Sequence, residues 1–235
     1  MSVVELLSKL LVVVLIFAAG TVAAGTYGRE ERVNELIEQL GQREFQSAVN
    51  ALAEIGEPAV EPLIRILKDR SIKTWSVQAR AITVLEKIGT ERAVGAIVDS
   101  LNDTQSNQYV RGFAAIALGQ TGLVEMIKPL ETGLQDEKQF VRWKCTQALG
   151  MLGHRKCVDT LYPALRDEDQ YVRAAAAQAL GHMKSKEAGD VLVNAFRDEH
   201  WLVRLNARDA MVEIGEPAAG RLIEELKDRY PRARW

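Results

Sequence analysis

An internal repeat constrains this chain more than any other sequence feature. The doublet Val-Arg recurs at intervals of 31 residues, at Val110-Arg111, Val141-Arg142, Val172-Arg173 and Val203-Arg204. One step upstream, at an interval of 33, the doublet becomes Val77-Gln78, and residues 47–69 hold an earlier copy of the unit. Six similar units of this length predict a stacked array, because repeats of this kind contact mainly their neighbours.

Each unit carries two helical stretches. A stretch rich in small residues, such as GFAAIALGQTG, follows the doublet, and a second apolar stretch, such as CVDTLYPALRD, ends in Asp. Leucines four residues apart in the second stretch, such as Leu63 and Leu67, lie on one helical face. Glycines that can end a helix in the left-handed conformation separate the two stretches, at Gly56, Gly89, Gly122, Gly153 and Gly215. Each unit is therefore predicted to be an antiparallel helix pair.

The segments VRxxAxxALG and GEPAVEPLIxxLKD, over about residues 33–230, resemble the short HEAT-like repeats of phycobilin lyases. The resemblance implies an all-α fold, a right-handed α-solenoid of about six HEAT-like hairpins. It is specific for the fold, but one solenoid serves many functions. We expect a hydrophobic N-terminal helix over residues 1–27, the solenoid over residues 28–230 and a basic tail over residues 231–235.

Several recurring columns have a structural interpretation. In HEAT-like proteins, Asp and Arg residues near the repeat junctions form an inter-repeat ladder. The equivalent residues here are Asp103, Arg111, Asp136, Arg142, Asp167, Arg173, Asp198 and Arg204. Tyr109, Phe140 and Tyr171 share one column and are interpreted as packing against the previous repeat. Cys145 and Cys157 align with alanines, which predicts buried free thiols.

Composition and motifs give no indication of catalysis. The formal net charge is −2, which leaves no excess of positive charge for nucleic acid. The sequence contains no nucleophile elbow, no phosphate loop and no Cys or His cluster with metal-ligand spacing. No catalytic, metal-binding or cofactor-binding residue is predicted, and we expect a binding protein without a cofactor.

A protein partner is expected on the second helices, which line the concave surface of HEAT-like solenoids. Outward columns there carry six positive and five negative charges, which favours a mixed-charge protein surface over a nucleic-acid groove. Trp143 is added because its column otherwise holds small or aliphatic residues, and tryptophan is enriched at interface hot spots. The predicted partner-binding residues are Arg65, Asp99, Lys128, Thr132, Trp143, Tyr162, Arg166, Asn194, Arg197 and Glu224.

The apolar run KLLVVVLIFAAGTVAAG near the N-terminus is interpreted as a retained membrane helix. Glu5 and Lys9 can pair four residues apart, and the run from residue 3 to residue 24 can cross a bilayer. Ala19 with Ala23, and Gly20 with Ala24, form small-xxx-small pairs that admit a second transmembrane helix. The alternative is a secretory signal that is cleaved, which the apolar length and small residues also fit.

These features predict a membrane-anchored, non-catalytic protein-binding scaffold, an accessory or assembly subunit of a membrane protein complex. Its expected partners are a membrane-embedded protein and, through the N-terminal helix, the lipid bilayer. Arginines after the helix give a slight bias toward a cytoplasmic solenoid. Two alternatives remain open: a lyase-like or chaperone-like factor acting on a chromophore protein, and a secreted solenoid with a cleaved signal peptide.

Overall fold

The computed structural model describes residues 28–72, 74–184 and 186–215, together with Gly220. The predicted membrane helix, with Glu5, Lys9, Ala19, Gly20, Ala23 and Ala24, and the C-terminal tail lie outside the described residues. No helix in the described part of the chain is long and apolar enough to cross a membrane.

The described residues form helices joined by short loops. Helix α1 covers residues 28–39. The first helices of the six predicted units are α2 Gln46–Ile55, α4 Trp75–Ile88, α6 Gln108–Gln120, α8 Gln139–Leu152, α10 Gln170–His182 and α12 Trp201–Ile214. The second helices are α3 Val60–Lys68, α5 Glu91–Asn102, α7 Ile127–Gly133, α9 Cys157–Leu161 and α11 Lys186–Ala195. Three 3₁₀ turns accompany them, at Glu57–Ala59, Val124–Met126 and Pro163–Arg166.

The helices stack in two layers. Each first helix from α2 to α12 contacts the next first helix, and each second helix packs against the first helices beside it. The leucine columns of the second helices turn into one continuous core between the layers, which includes Leu63, Ile97, Leu130, Leu161 and Leu192. An isolated helix pair would leave this apolar side in water, so the stacking itself supplies most of the burial. The predicted all-α solenoid is confirmed.

The glycine of the repeated Leu-Gly motif sets the distance between first helices. A Cβ atom added at Gly119 of α6 would stand 2.7 Å from the Cα atom of Ala148 on α8. Gly150 faces Ala179 in the same way, and Gly181 faces Ala210. Backbone cannot yield as the end of a side chain can, so any side chain at these positions would force neighbouring first helices apart.

The turn glycines and the thiols follow the sequence prediction. Gly56, Gly89, Gly122, Gly153 and Gly215 all have positive φ, between 60° and 76°. At Gly89 and Gly153 the amide closes the preceding helix by donating to the carbonyl four residues earlier.

Cys145 and Cys157 are buried and free, and burial raises the pKa of the Cys145 thiol, which keeps it protonated and unreactive.

Candidate protein-binding surfaces

The ladder arginines join each unit to the next. Arg111 binds Asp136 in a bidentate arrangement, with its Nε and Nη2 atoms 3.0 Å and 2.8 Å from the carboxylate oxygens. Arg142 pairs with Asp167 and Arg173 with Asp198 in the same geometry, 25 residues further along the chain each time. The partner is thus the aspartate of the following loop, and the aspartate before each arginine belongs to the previous pair.

Each guanidinium also closes its own loop. Arg142 Nη1 donates to the carbonyls of Asp136 and Glu137, and Arg173 Nη1 donates to those of Asp167 and Glu168. These carbonyls lie in the loop after a second helix, where no helical partner exists for them. One buried arginine therefore satisfies orphan carbonyls and fastens the next unit.

The ladder changes at both ends of the described stack. Gln78 stands where later units have arginine, and its Nε2 atom donates to the carbonyls of Ile66, Leu67 and Asp69. The amide is too short to reach the next loop, so Asp103 pairs with the more exposed Arg70. At the other end, Arg204 Nη1 donates to the carbonyls of Asp198 and Glu199, and no described carboxylate pairs with its side chain.

Most of the second-helix residues predicted for partner binding are exposed, and Tyr162 is half-buried, but they do not form one cluster. Arg65 lines a cleft between α1 and α3, and Asp99 lies on α5. On α7, Lys128 pairs with Glu131, while the Thr132 hydroxyl donates to the Lys128 carbonyl. Arg197 is exposed just after α11, and Glu224 lies outside the described residues.

Three of the predicted residues meet in one groove. Tyr162, Arg166 and Asn194 line a surface cleft between the Pro163–Arg166 turn and α11, with Asp159 and Asp198 at its sides. Both signs of charge are present in this cleft, as expected from the sequence columns. It is open to solvent, and its walls are polar and apolar in similar measure, so it combines selectivity by charge with a modest apolar contact area.

Trp143 lies apart from the other predicted residues, in the layer of first helices. There it belongs to a continuous series of rings that we call the aromatic face: Trp75, Tyr109, Phe113, Phe140, Trp143 and Tyr171. Successive ring centroids are 4.9 Å to 6.0 Å apart, and the series crosses four first helices from α4 to α10. These distances lie in the range of favourable stacked and edge-to-face pairs.

The rings of the aromatic face remain partly in water. Tyr109 is 37% exposed, Phe113 41% and Tyr171 48%. The tyrosine column was interpreted from sequence as packing against the previous repeat, and the Tyr109 and Phe140 rings do meet edge to face across two units. Packing alone does not account for so much exposed aromatic surface, because contiguous exposed apolar patches mark interaction sites.

Local sequence helps to position three of the rings, Tyr109, Phe140 and Tyr171. Asn107 caps α6 by accepting a hydrogen bond from the Tyr109 amide, and Asp169 caps α10 by accepting from the Tyr171 amide. Gly112 makes room for Phe140, since a Cβ atom at Gly112 would stand 2.4 Å from the phenyl ring. The caps and the missing side chain hold the rings in register before any partner arrives.

One cation lies within the aromatic face. Lys144 Nζ is 3.9 Å from the centroid of the Trp143 ring and 5.5 Å from that of Phe140, and it donates to the Gln147 side-chain oxygen. Burial lowers the pKa of Lys144, and none of the described carboxylates pairs with it. The ammonium is therefore held by π faces and one amide alone.

The sequence interpretation did not single out Lys144, Phe113 or Trp75. The signal available was helical spacing: Phe113 follows Tyr109 by four residues, and Lys144 follows Phe140 by four. That spacing places each pair on one face of its helix. The tyrosine column was interpreted as packing, and that interpretation did not extend to Phe113 and Lys144 on the same helical faces.

The model for HEAT repeats matches residues 33–107, 103–167 and 158–235. No curated protein matches the sequence. Among solved structures, the CpcE and CpcF complex of phycocyanin lyase from Nostoc sp. PCC7120 is 24% identical, with a TM-score of 0.50, and the alignment covers 63% of this chain and 96% of that one. The Escherichia coli protein YibA is 18% identical with a TM-score of 0.57, covering 86% and 78%. These two structures share the fold of this chain. The model for HEAT repeats matches most of the sequence, which shows that the chain belongs to the HEAT-repeat family.

Proposed function

We propose that this solenoid is a non-catalytic protein-binding scaffold and that the aromatic face is its main docking surface. The observation that carries the proposal is the exposure of stacked rings across four consecutive first helices. Aromatic residues supply large contact areas at low cost in conformational entropy, and they dominate the energetics of many interfaces. The mixed-charge groove at Tyr162, Arg166 and Asn194 provides a second, more polar contact.

We further propose that the chain is an accessory or assembly subunit of a membrane complex, anchored by residues 1–27. The support is the sequence itself, in which a long apolar run, with Thr21 as its one polar residue between Leu10 and Ala24, precedes the solenoid. N-terminal sequencing of the native protein tests the anchor. A chain that starts near Gly25 would show that the run is a cleaved signal.

Affinity capture with the full chain from detergent-solubilised membranes tests the docking surface. We expect a stoichiometric protein partner that is recovered by the wild type and lost with Phe113→Arg. Leu123→Arg is the matched control, because Leu123 is 45% exposed, close to the 41% of Phe113, but lies at the turn after α6, outside the aromatic face. Equal recovery by the two variants would contradict the proposal.

The same experiment separates the proposal from a role on a chromophore protein. The similarity to the phycocyanin lyase complex motivates that alternative, although at 24% identity the similarity concerns the fold. Recovery of a bilin-bearing protein as the sole partner would favour the lyase-like role.

A further inference from the structure

We infer that the aromatic face receives an apolar segment of the partner protein, and that a carboxylate on this segment pairs with Lys144. The inference rests on the proposed function and adds the chemistry of the partner. Lys144 lies near the middle of the ring series, beside Phe140 and Trp143, so an occupant of the face would cover it.

The hydrogen bonds of Lys144 are incomplete. An ammonium has three N–H donors, and Lys144 uses one on the Gln147 side chain, with an N to O distance of 2.9 Å. The Trp143 ring covers one side of the ammonium. No described carboxylate accepts from the remaining donors, and they need an acceptor once a partner displaces water, because a buried cation without a counter-charge is costly. A carboxylate on the partner supplies both the acceptor and the charge.

The surroundings of Lys144 explain why the rest of the segment should be apolar. Positions spaced three and four residues apart on the outer side of α6, α8 and α10 are almost free of charge. They are Tyr109, Phe113, Ile116, Gln120, Phe140, Lys144, Gln147, Met151, Tyr171, Gln178 and His182. Met151 is 55% exposed, and His182 at the far end is near Glu213 on α12. A charged segment would lose its hydration here without gaining partners.

A protein fits this face better than a lipid surface does. Neighbouring rings pack against one another, with Phe140 edge to face against both Tyr109 and Trp143, whereas interfacial aromatics anchor a protein by reaching into the headgroup region. The outer positions of α6, α8 and α10 named above include a single Lys or Arg, Lys144. Protein surfaces that bind anionic headgroups generally carry clusters of Lys and Arg, whereas one ammonium matches one carboxylate of a protein segment.

A photo-crosslinking experiment on the full chain in its native cells identifies the occupant. The photoreactive residue p-benzoylphenylalanine replaces Phe113, and the cross-linked peptide is sequenced by mass spectrometry. We expect an apolar segment with Asp or Glu within one helical turn of the cross-linked residue. A second substitution in the same protein, Lys144→Glu, should lower the cross-linking yield about tenfold, because the partner carboxylate would then be repelled by residue 144 and no longer attracted.

Lys128→Glu is the control for the change in net charge, since Lys128 is exposed on α7 and pairs with Glu131. It should leave the yield unchanged. A second measurement uses synthetic copies of the captured segment, with its acid or with the matching amide. The wild type should bind the acid form about tenfold more tightly, and Lys144→Met should bind the two forms equally.

The outcomes separate the two claims. A protein captured with the same yield after Lys144→Glu, or a segment without a carboxylate, would overturn this inference and leave the proposed docking surface standing. Cross-links to phospholipid alone, or no cross-link at position 113, would overturn both.

Discussion

Arg142 and Lys144 lie two residues apart on α8 and have opposite surroundings. All five N–H groups of Arg142 have acceptors, on Asp167, Glu168 and the carbonyls of Asp136 and Glu137. Lys144 has one hydrogen-bond acceptor, the Gln147 side chain, and no carboxylate among the described residues. The hydrogen bonds of Arg142 are all made within the molecule, whereas those of Lys144 are only partly made.

The difference separates a structural column from a binding column. The ladder recurs because every unit must close its loop and fasten the next unit, so its chemistry is complete without a partner. Part of the aromatic face recurs as well, but several of its rings remain partly in water. Recurrence in the sequence therefore does not distinguish the ladder from the aromatic face, whereas the number of hydrogen-bonding groups left without a partner does.

The largest expected effect is the loss of a ladder arginine. Arg142→Met should lower the free energy of unfolding by about 3 kcal/mol, because it leaves the Asp167 carboxylate buried without its counter-charge. Arg204→Met is the control and should cost no more than about 1 kcal/mol, since Arg204 only caps loop carbonyls. Urea denaturation measures both, and equal losses would contradict a special role for the inter-unit pairs.

Acid should weaken the ladder. Burial alone would raise the pKa of Asp198, but hydrogen bonds from Arg173 and the His200 amide outweigh it and hold the pKa below its usual value. A carboxyl with a lowered folded-state pKa stabilises the fold above its unfolded pKa of about 3.9, and this stability is lost as the pH falls through the folded value. The unfolding temperature of the wild type should therefore fall below about pH 4, and that of the Asp198→Asn variant should fall less over the same range.

Gly112→Ala should disturb the aromatic face without unfolding the chain. The added methyl group meets the Phe140 ring, which can rotate away, so the expected cost is about 1 kcal/mol. Near-ultraviolet circular dichroism should report the displaced rings. Gly95→Ala on α5 is the control, since no atom lies within 4 Å of the added group, and helix propensity should make it neutral or slightly stabilising. An unchanged aromatic spectrum for Gly112→Ala would show that the rings are not held by this gap.

The smallest expected change in stability belongs to Lys144→Met. It should shift the free energy of unfolding at neutral pH by less than about 0.5 kcal/mol, because the ammonium has no carboxylate to lose. Since burial lowers the folded-state pKa of Lys144, the wild type should gain stability relative to the variant as the pH rises from that value toward the unfolded pKa of about 10.4. A loss of several kcal/mol would mean that Lys144 is structural, like Arg142.

The fold could be predicted from the sequence because its determinants are local and periodic. The i, i+4 leucines, the turn glycines and the loop aspartates each recur at a fixed position in the unit. The buried thiols follow from the same alignment of columns, since Cys145 stands where other units have alanine.

The aromatic face could not be predicted in the same way because it depends on distances between helices. Trp75 meets Tyr109 and Phe113 from another unit, and Trp143 meets Tyr171 from the next. Tyr109, Phe140 and Tyr171 share one column, but Trp75, Phe113 and Trp143 stand in others, so column-by-column comparison separates rings that the stack brings together. The residues of the charge columns recur at one position of the repeat, but apart from Arg166 and Asn194, which line one groove, they face solvent at separate places along the second layer.

The narrow contact at Gly119 has a consequence for recognition. Because the backbones of α6 and α8 touch there, and α8, α10 and α12 approach as closely at Gly150 and Gly181, the pitch of the first layer cannot be adjusted by a visiting molecule. The rings on these helices therefore keep fixed spacings. A ligand must place its own side chains at matching intervals, so selection depends on the spacing and register of its side chains as much as on their chemical type.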